Sequence, residues 1–470
     1  MRKITLLVAA VGIAAAVLIP AQADPEDLKL RCIDGVSGRD EECVDTFAHV
    51  VVPDRTKVTP WALPQDLAYA AAAAGPEGCG WLLIGLALVA LVTGLWSRGL
   101  LGGVRRLLLL FALGVPFCFA LFYGSCFLEG RRIRLGPEAD GEYVICSLHS
   151  QTDRTTGLLS PKDVVRWHYQ RGFRVLNVSD RDDIRAGQEA VAYARSEGFT
   201  PPMLVLVGEE WHVHPDLVLV NVKRARTAHR LEDAALQQTV ADVRREGGLV
   251  FVAHPWAKLE PRTLDMMLRS GVDGCEIVNG VIHGGSLVIE AARRHKKALV
   301  GVIDYKYGPH VNAVTLLRAS RAQTGVGVVA AVRERDTKVL YAVPGGTTTG
   351  AAYEAADLGV TGAAVGLRAL FETPRPRRAT WLVWLAIVVL LWWLTVREPK
   401  SDVRRPLSRR QARVMFLACC LIEFVLPAGA SWEVREVVGA VPVAALLGIA
   451  AVVAVPLLAA AHTLARADAK

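Results

Sequence analysis

The chain has 470 residues, 52% of them apolar, with a mean hydropathy of +0.31 and a formal charge of +8. That length accommodates two or three structural units, and that apolar share excludes an ordinary single soluble domain, so part of the chain is expected in lipid. The arginines lie beside apolar runs, at 105–106, 131–134, 375–378 and 397–413, and read as membrane-flanking positives; no nucleic-acid partner is expected.

Residues 1–23 carry Arg2 and Lys3, an apolar run from Ile4 to Ile19 and small residues up to Ala23, the order of a signal peptide. Cleavage after Ala23 is expected, with an uncleaved anchor as the alternative. Residues 24–79 form a polar extracytoplasmic N-terminal segment without periodic apolar pattern, and no activity is assigned to it. Its Cys32 and Cys43 are a candidate pair in an exported chain, although the nine cysteines as a whole form no single framework. Residues 80–130 hold two apolar runs, Trp81 to Trp96 and Leu107 to Phe127, each near the roughly 20 residues of a spanning helix.

The central stretch, 138–345, differs in kind and is followed by a linker, 346–379. Residues 380–463 then hold three more apolar runs, Trp381 to Val396, Val414 to Val425 and Val437 to Ala461, with Glu423 in the middle one read as an interfacial or packing residue. The loop 397–413 is the most basic short loop and is expected in the cytoplasm. This places the central domain on the periplasmic or exterior side of a multi-pass cell-membrane protein, in agreement with the signal peptide. The arginines flanking the central domain, Arg131, Arg132, Arg134, Arg375, Arg377 and Arg378, argue for the opposite orientation.

In the central stretch, short β-branched runs alternate with helical patterns, which predicts a parallel α/β sheet or barrel. Strands are expected at Tyr143 to Leu148, Phe173 to Val178, Met203 to Val207, Leu217 to Val222, Leu249 to Ala253, Cys275 to Val278 and Ala298 to Ile303. Ser160 and Pro161 predict a helix start, and Leu236, Val240 and Val243 predict a stripe that packs on the sheet. Polar residues stand at the strand ends: His149, Asp180, Glu209 and Glu210, His254, Glu276 and Asn279, and Asp304. Carboxylates and imidazoles converging on one spot need a cation or protons to neutralise them, so a divalent metal site is the economical reading.

These residues resemble the PHP (polymerase and histidinol phosphatase) family of metal-dependent phosphoesterases. Leu-His149-Ser-Gln151 stands where the family has His-x-His, Ser-Asp180-Arg181 where it has Thr-Asp-His, and Gly-Glu209-Glu210 resembles its metal-bridging glutamate segment. Ala-His254-Pro, Glu276-x-x-Asn279 and Asp304-Tyr-Lys306 match three later motifs in order. The resemblance implies a distorted (β/α)7 barrel, here inserted between groups of transmembrane helices. It implies metal ligands among His149, Glu209 or Glu210, His254 and Asp304, with His214 as a further imidazole.

Gln151, Thr156, Arg181 and Lys306 replace ligands that the family would supply. A protonated arginine or lysine cannot ligate a metal. The resemblance therefore implies one or two divalent ions, Zn or Mn, or none, with Arg181 and Lys306 binding an anion in place of the lost ion. Two readings stay open: a catalytically degenerate PHP-like module that binds an anionic ligand or a protein partner, and a phosphoesterase acting on a phosphate ester with one or two metals. Beyond the membrane and that ligand, no partner is identified.

Overall fold

The computed structural model describes residues 29–53, 62, 65–72, 79–80, 83–84, 114–213, 216–226, 233–256, 261–280 and 282–343. The chain divides into two compact units, one of Met1–Gln22, Arg55–Gly124 and Gly362–Lys470 and one of Ala23–Asp54 and Ser125–Thr361. Described residues 65–72 of the first unit are helical.

Among the described residues, no helix is long and apolar enough to cross a membrane. This finding overturns the expected barrel between groups of transmembrane helices, and with it the multi-pass membrane localisation. Of the second apolar run, residues 114–125 are described and helical, and 107–113 lie outside the described residues. Most of the first run and all of the last three lie outside the described residues, as do the signal peptide 1–23, the linker 346–379 and the basic loop 397–413.

The second unit is an α/β structure around one curled sheet. It opens with β1 (Lys29–Asp34) and β2 (Asp40–Glu42), and a separate ladder joins β3 (Ala48–Val51) to β4 (Arg132–Leu135). Strands β5 (Tyr143–Ser147), β6 (Phe173–Val178) and β7 (Leu204–Trp211) pair in parallel. Helices α1 (Pro161–Gln170) and α2 (Arg185–Glu197) connect them. Ser160 caps α1, accepting the Asp163 N–H, and Pro161 occupies its first turn.

Next come β8 (Leu217–Val220), β9 (Leu249–Val252), β10 (Gly274–Asn279), β11 (Ile282–His283) and β12 (Ala298–Val302), with α3 (Asp233–Arg245), α4 (Pro261–Arg269) and α5 (Gly285–Arg294) between them. Finally β13 (Ala313–Arg318), α6 (Gly325–Arg333) and β14 (Thr337–Val343) return the chain to β5 and β1. The sheet is mixed where a parallel one was expected, because β8 runs antiparallel to both β7 and β9. The short connection from β7 to β8 allows only an antiparallel pairing, since a parallel strand needs a crossover, and β8 then returns to β9 through α3. Strands β8, β9 and β12 are buried at every position, as continuous apolar runs covered on both faces require.

Two cores result. One lies under the helices and gathers Leu236, Val240 and Val243 of α3 with Trp211, Leu219 and Ile277 of the strands. Each such side chain contributes roughly 1.5–3 kcal/mol on burial, against a few tenths for any surface pair, so packing rather than helix propensity holds α3. The other core gathers Leu148, Val175, Leu206, Phe251 and Val300 with α6. Strands β12 and β13 meet through a side chain instead of a ladder: Thr315 Oγ1 accepts the Gly301 N–H at 3.0 Å and donates to the Gly301 carbonyl at 2.9 Å. A Cβ at Gly301 would lie 2.5 Å from Val339 Cγ1, so glycine permits this approach.

Candidate metal centre

The centre forms where β5, β7, β9, β10 and β12 run out. His149, just past β5, is fully buried. Its Nδ1 lies 2.8 Å from Oε1 of Glu276 on β10, and the protonated Nδ1 donates to that carboxylate. The ring's Nε2 is buried without a hydrogen-bond partner, facing Asp304 Oδ1 at 3.3 Å and Glu210 Oε2 at 3.8 Å. Glu276 also fixes the next strand end, accepting the His254 backbone N–H at 2.8 Å and the Asn279 amide at 3.0 Å.

His254 and Asp304 both have positive φ, 29° and 43°. L side chains rarely adopt this conformation, which costs of order 1–3 kcal/mol, and the surrounding contacts hold it at two residues of the same centre. His254 Nε2 lies 3.4 Å from Glu210 Oε1 and 3.8 Å from Asp216 Oδ2. Ligand atoms of Glu210, Asp216 and His254 all fall within 4.8 Å of one another, a grouping able to hold a metal ion.

Gln151, Arg181 and Lys306 face the same carboxylates. Gln151 donates from Nε2 to Glu210 Oε2 at 2.6 Å and to Asp304 Oδ1 at 3.2 Å, while its Oε1 accepts the Thr156 hydroxyl. Arg181 Nε donates to Glu210 Oε2 at 3.0 Å, and Lys306 Nζ to Asp304 Oδ2 at 2.9 Å. Against the opposing effect of burial, His149 and His254 with Arg181 hold the Glu210 carboxyl below the ordinary range, and His149 with Lys306 holds that of Asp304. Burial likewise opposes the imidazolium forms, but the carboxylates of Asp304, Glu276 and Glu210 outweigh it and raise His149 well above its usual value; His254 is raised by the same carboxylates.

Of the expected ligands, the structure brings His149, His254 and Asp304 together and places Glu209 elsewhere. Side chains alternate along β7, so Glu210 turns to the centre and Glu209 to the opposite face. There Glu209 accepts the Arg226 N–H with both oxygens at 3.0 Å, and burial pushes its carboxyl up to about 7. His214 lies outside the described residues. Asp180 is taken by the loop after β5, accepting from Thr152 N, Thr152 Oγ1 and Thr155 Oγ1 at 2.9, 2.8 and 2.5 Å. Asp216 was not anticipated, because it precedes β8 and carries no strand-end signal. The period-2 alternation of β7 is the signal that selects Glu210 over Glu209.

No family model matches the chain, and no curated protein matches it. Solved structures similar to it include a two-domain protein from Bacteroides vulgatus containing a predicted PHP-like metal-dependent phosphoesterase, at 15% identity and TM-score 0.36, over 42% of this chain and 65% of that one. The chain thus spans just under two thirds of that protein. Another, from Bifidobacterium adolescentis and provisionally assigned as a metal-dependent phosphoesterase, matches at 15% identity and TM-score 0.28, over 35% of this chain and 88% of its own. An amidohydrolase from Chromobacterium violaceum, with bound sulfate and no metal, matches at 15% identity and TM-score 0.30, over 34% and 87% of the respective chains. The chain is therefore distantly similar to PHP-like metal-dependent phosphoesterases, and likeness at this level carries no argument about the reaction.

Proposed function

We propose that this chain holds one divalent ion, Zn or Mn, on Glu210, Asp216 and His254 and hydrolyses a phosphate ester bound beside Arg181 and Lys306. The supporting observation is a charge balance. Four carboxylates, Glu210, Asp216, Glu276 and Asp304, meet two permanent cations, Arg181 and Lys306. With His254 neutral as a ligand, two negative charges remain if His149 is also neutral and one if it is protonated, so a single divalent ion is enough to neutralise them. A second ion would leave the centre with a net positive charge.

When bound, the ion would polarise a phosphoryl oxygen and lower the pKa of a bound water. The protein's own groups do the rest. Glu276 holds the His149 ring and the His254 backbone in place. Among the described residues, Glu210 engages only the Nε of the half-exposed Arg181, so the Nη atoms remain for a phosphate, whose oxygens match the guanidinium fork. Lys306, also part-exposed, offers its remaining ammonium protons to the same anion.

One observation favours a second reading. Gln151, Arg181 and Lys306 already satisfy Glu210 and Asp304, which suits a catalytically degenerate domain that binds an anionic ligand or a protein. Full-length protein, stripped with chelator and reloaded with Mn or Zn, separates the two. The enzyme reading expects one ion per chain and turnover of a nitrophenyl phosphate mono- or diester, both lost in His254→Ala. Phosphate binding without metal or turnover would establish the degenerate domain instead.

A further inference from the structure

We infer that the side-chain amide of Gln151 plugs a second metal position and so limits the centre to one ion. Three donor atoms converge apart from the Asp216 side of the centre: His149 Nε2, Asp304 Oδ1 and Glu210 Oε2, with the histidine nitrogen 3.3 and 3.8 Å from the two oxygens. Gln151 Nε2 is hydrogen-bonded to both of those oxygens, at 2.6 and 3.2 Å, and Gln151 is fully buried. The amide nitrogen thus stands between the two carboxylate oxygens that an ion there would share, and it gives Asp304 and Glu210 hydrogen-bond donors in place of a cation.

Three details show that the plug is built in. Its orientation is fixed, because Oε1 accepts the Thr156 hydroxyl, and reversing the amide would press an oxygen against two carboxylates. Its backbone is fixed, with the Gln151 N–H donating to the Tyr305 carbonyl at 2.9 Å beside Asp304. The chain of contacts is continuous, from Arg181 through Glu210, Gln151 and Asp304 to Lys306, so a cation sits at each outer end and a neutral donor in the middle. The amide N–H groups go to the two carboxylates and not to the imidazole, whose Nε2 is left buried without a hydrogen-bond partner.

The inference rests on the one-metal reading for the other position, and metal stoichiometry tests the two separately. Wild-type full-length protein, Gln151→Glu and Gln151→Ala are stripped, loaded with Mn and assayed for bound metal per chain, with EPR to distinguish an isolated ion from a coupled pair; thermal melting confirms that each variant is folded. One ion in the wild type and two, coupled, in Gln151→Glu or Gln151→Ala is the expected result. Two ions in the wild type overturn the plug, as does one ion in all three proteins. An empty wild type with an ion gained by a variant supports the plug and rejects the one-metal reading; no ion in any of the three rejects both.

Discussion

The Nδ1 atom of His149 lies 2.8 Å from Oε1 of Glu276, and that contact leaves the opposite ring nitrogen buried and unpartnered against Asp304. A carboxylate behind an imidazole fixes its tautomer and raises its basicity. Glu276→Gln should preserve the fold and weaken metal binding about 10- to 100-fold, because Glu276 also accepts the backbone N–H of the ligand His254. Titration calorimetry of the stripped protein measures this; an unchanged affinity would exclude His149 and the His254 backbone contact from the metal site.

Neighbouring glutamates on β7 should behave differently. Glu210→Gln removes a ligand and should abolish metal retention and any turnover. Glu209→Gln alters a carboxyl on the other face that touches Arg226 N, and should leave metal content at the wild-type level. Metal analysis of the two purified variants decides; equal loss in both would contradict the alternation.

Metal binding should weaken steeply on acidification. His254 is raised above its usual value by the neighbouring carboxylates, so below that raised value a metal must displace its proton. For each proton displaced, the apparent affinity should fall about tenfold per pH unit below the raised value. Calorimetry in buffers of different ionisation heat counts the protons released.

His168 gives an independent pH effect away from the ion. Its Nδ1 lies 2.7 Å from the Val164 carbonyl and its Nε2 3.1 Å from Ser150 Oγ, and burial holds it neutral, pushed down to about 3. Its folded-state value lies below the unfolded one, so the unfolded chain binds the extra proton between about 6.5 and about 3. Stability is full above that window and falls through it by about 1.4 kcal/mol per pH unit for this one group. Urea midpoints at pH 7 and pH 5 for wild type and His168→Gln check it: the variant should lose less of its own stability over that interval.

Strands with continuous β-branched runs were legible because burial on both faces leaves no other composition, and Leu249-Val-Phe-Val and Leu217-Val-Leu-Val are such runs. Their direction was not, since a run buried on both faces looks the same parallel or antiparallel, and β8 proved antiparallel. His149, His254 and Asp304 were legible as polar ends of apolar strands. The choice between Glu209 and Glu210 stayed open because the register of β7 was not carried through to its last residues. Asp216 stayed hidden because it is brought to His254 by the pairing of β8 with β9, a contact between residues far apart in the chain. The pairing of β1 with β14 was hidden for the same reason, since Lys29 and Val343 are separated by most of the unit.

That last pairing has a mechanical consequence. Lys29 and Val343 are register partners, so the outer ends of β1 and β14 lie side by side. Tension applied through both would load the β1–β14 ladder from one end and open it one hydrogen bond at a time, at low force, instead of shearing all its bonds together. The strands that carry His149, Glu210, His254, Glu276 and Asp304 lie beyond β13 in the sheet, so the metal centre would be the last part of the unit to feel the pull.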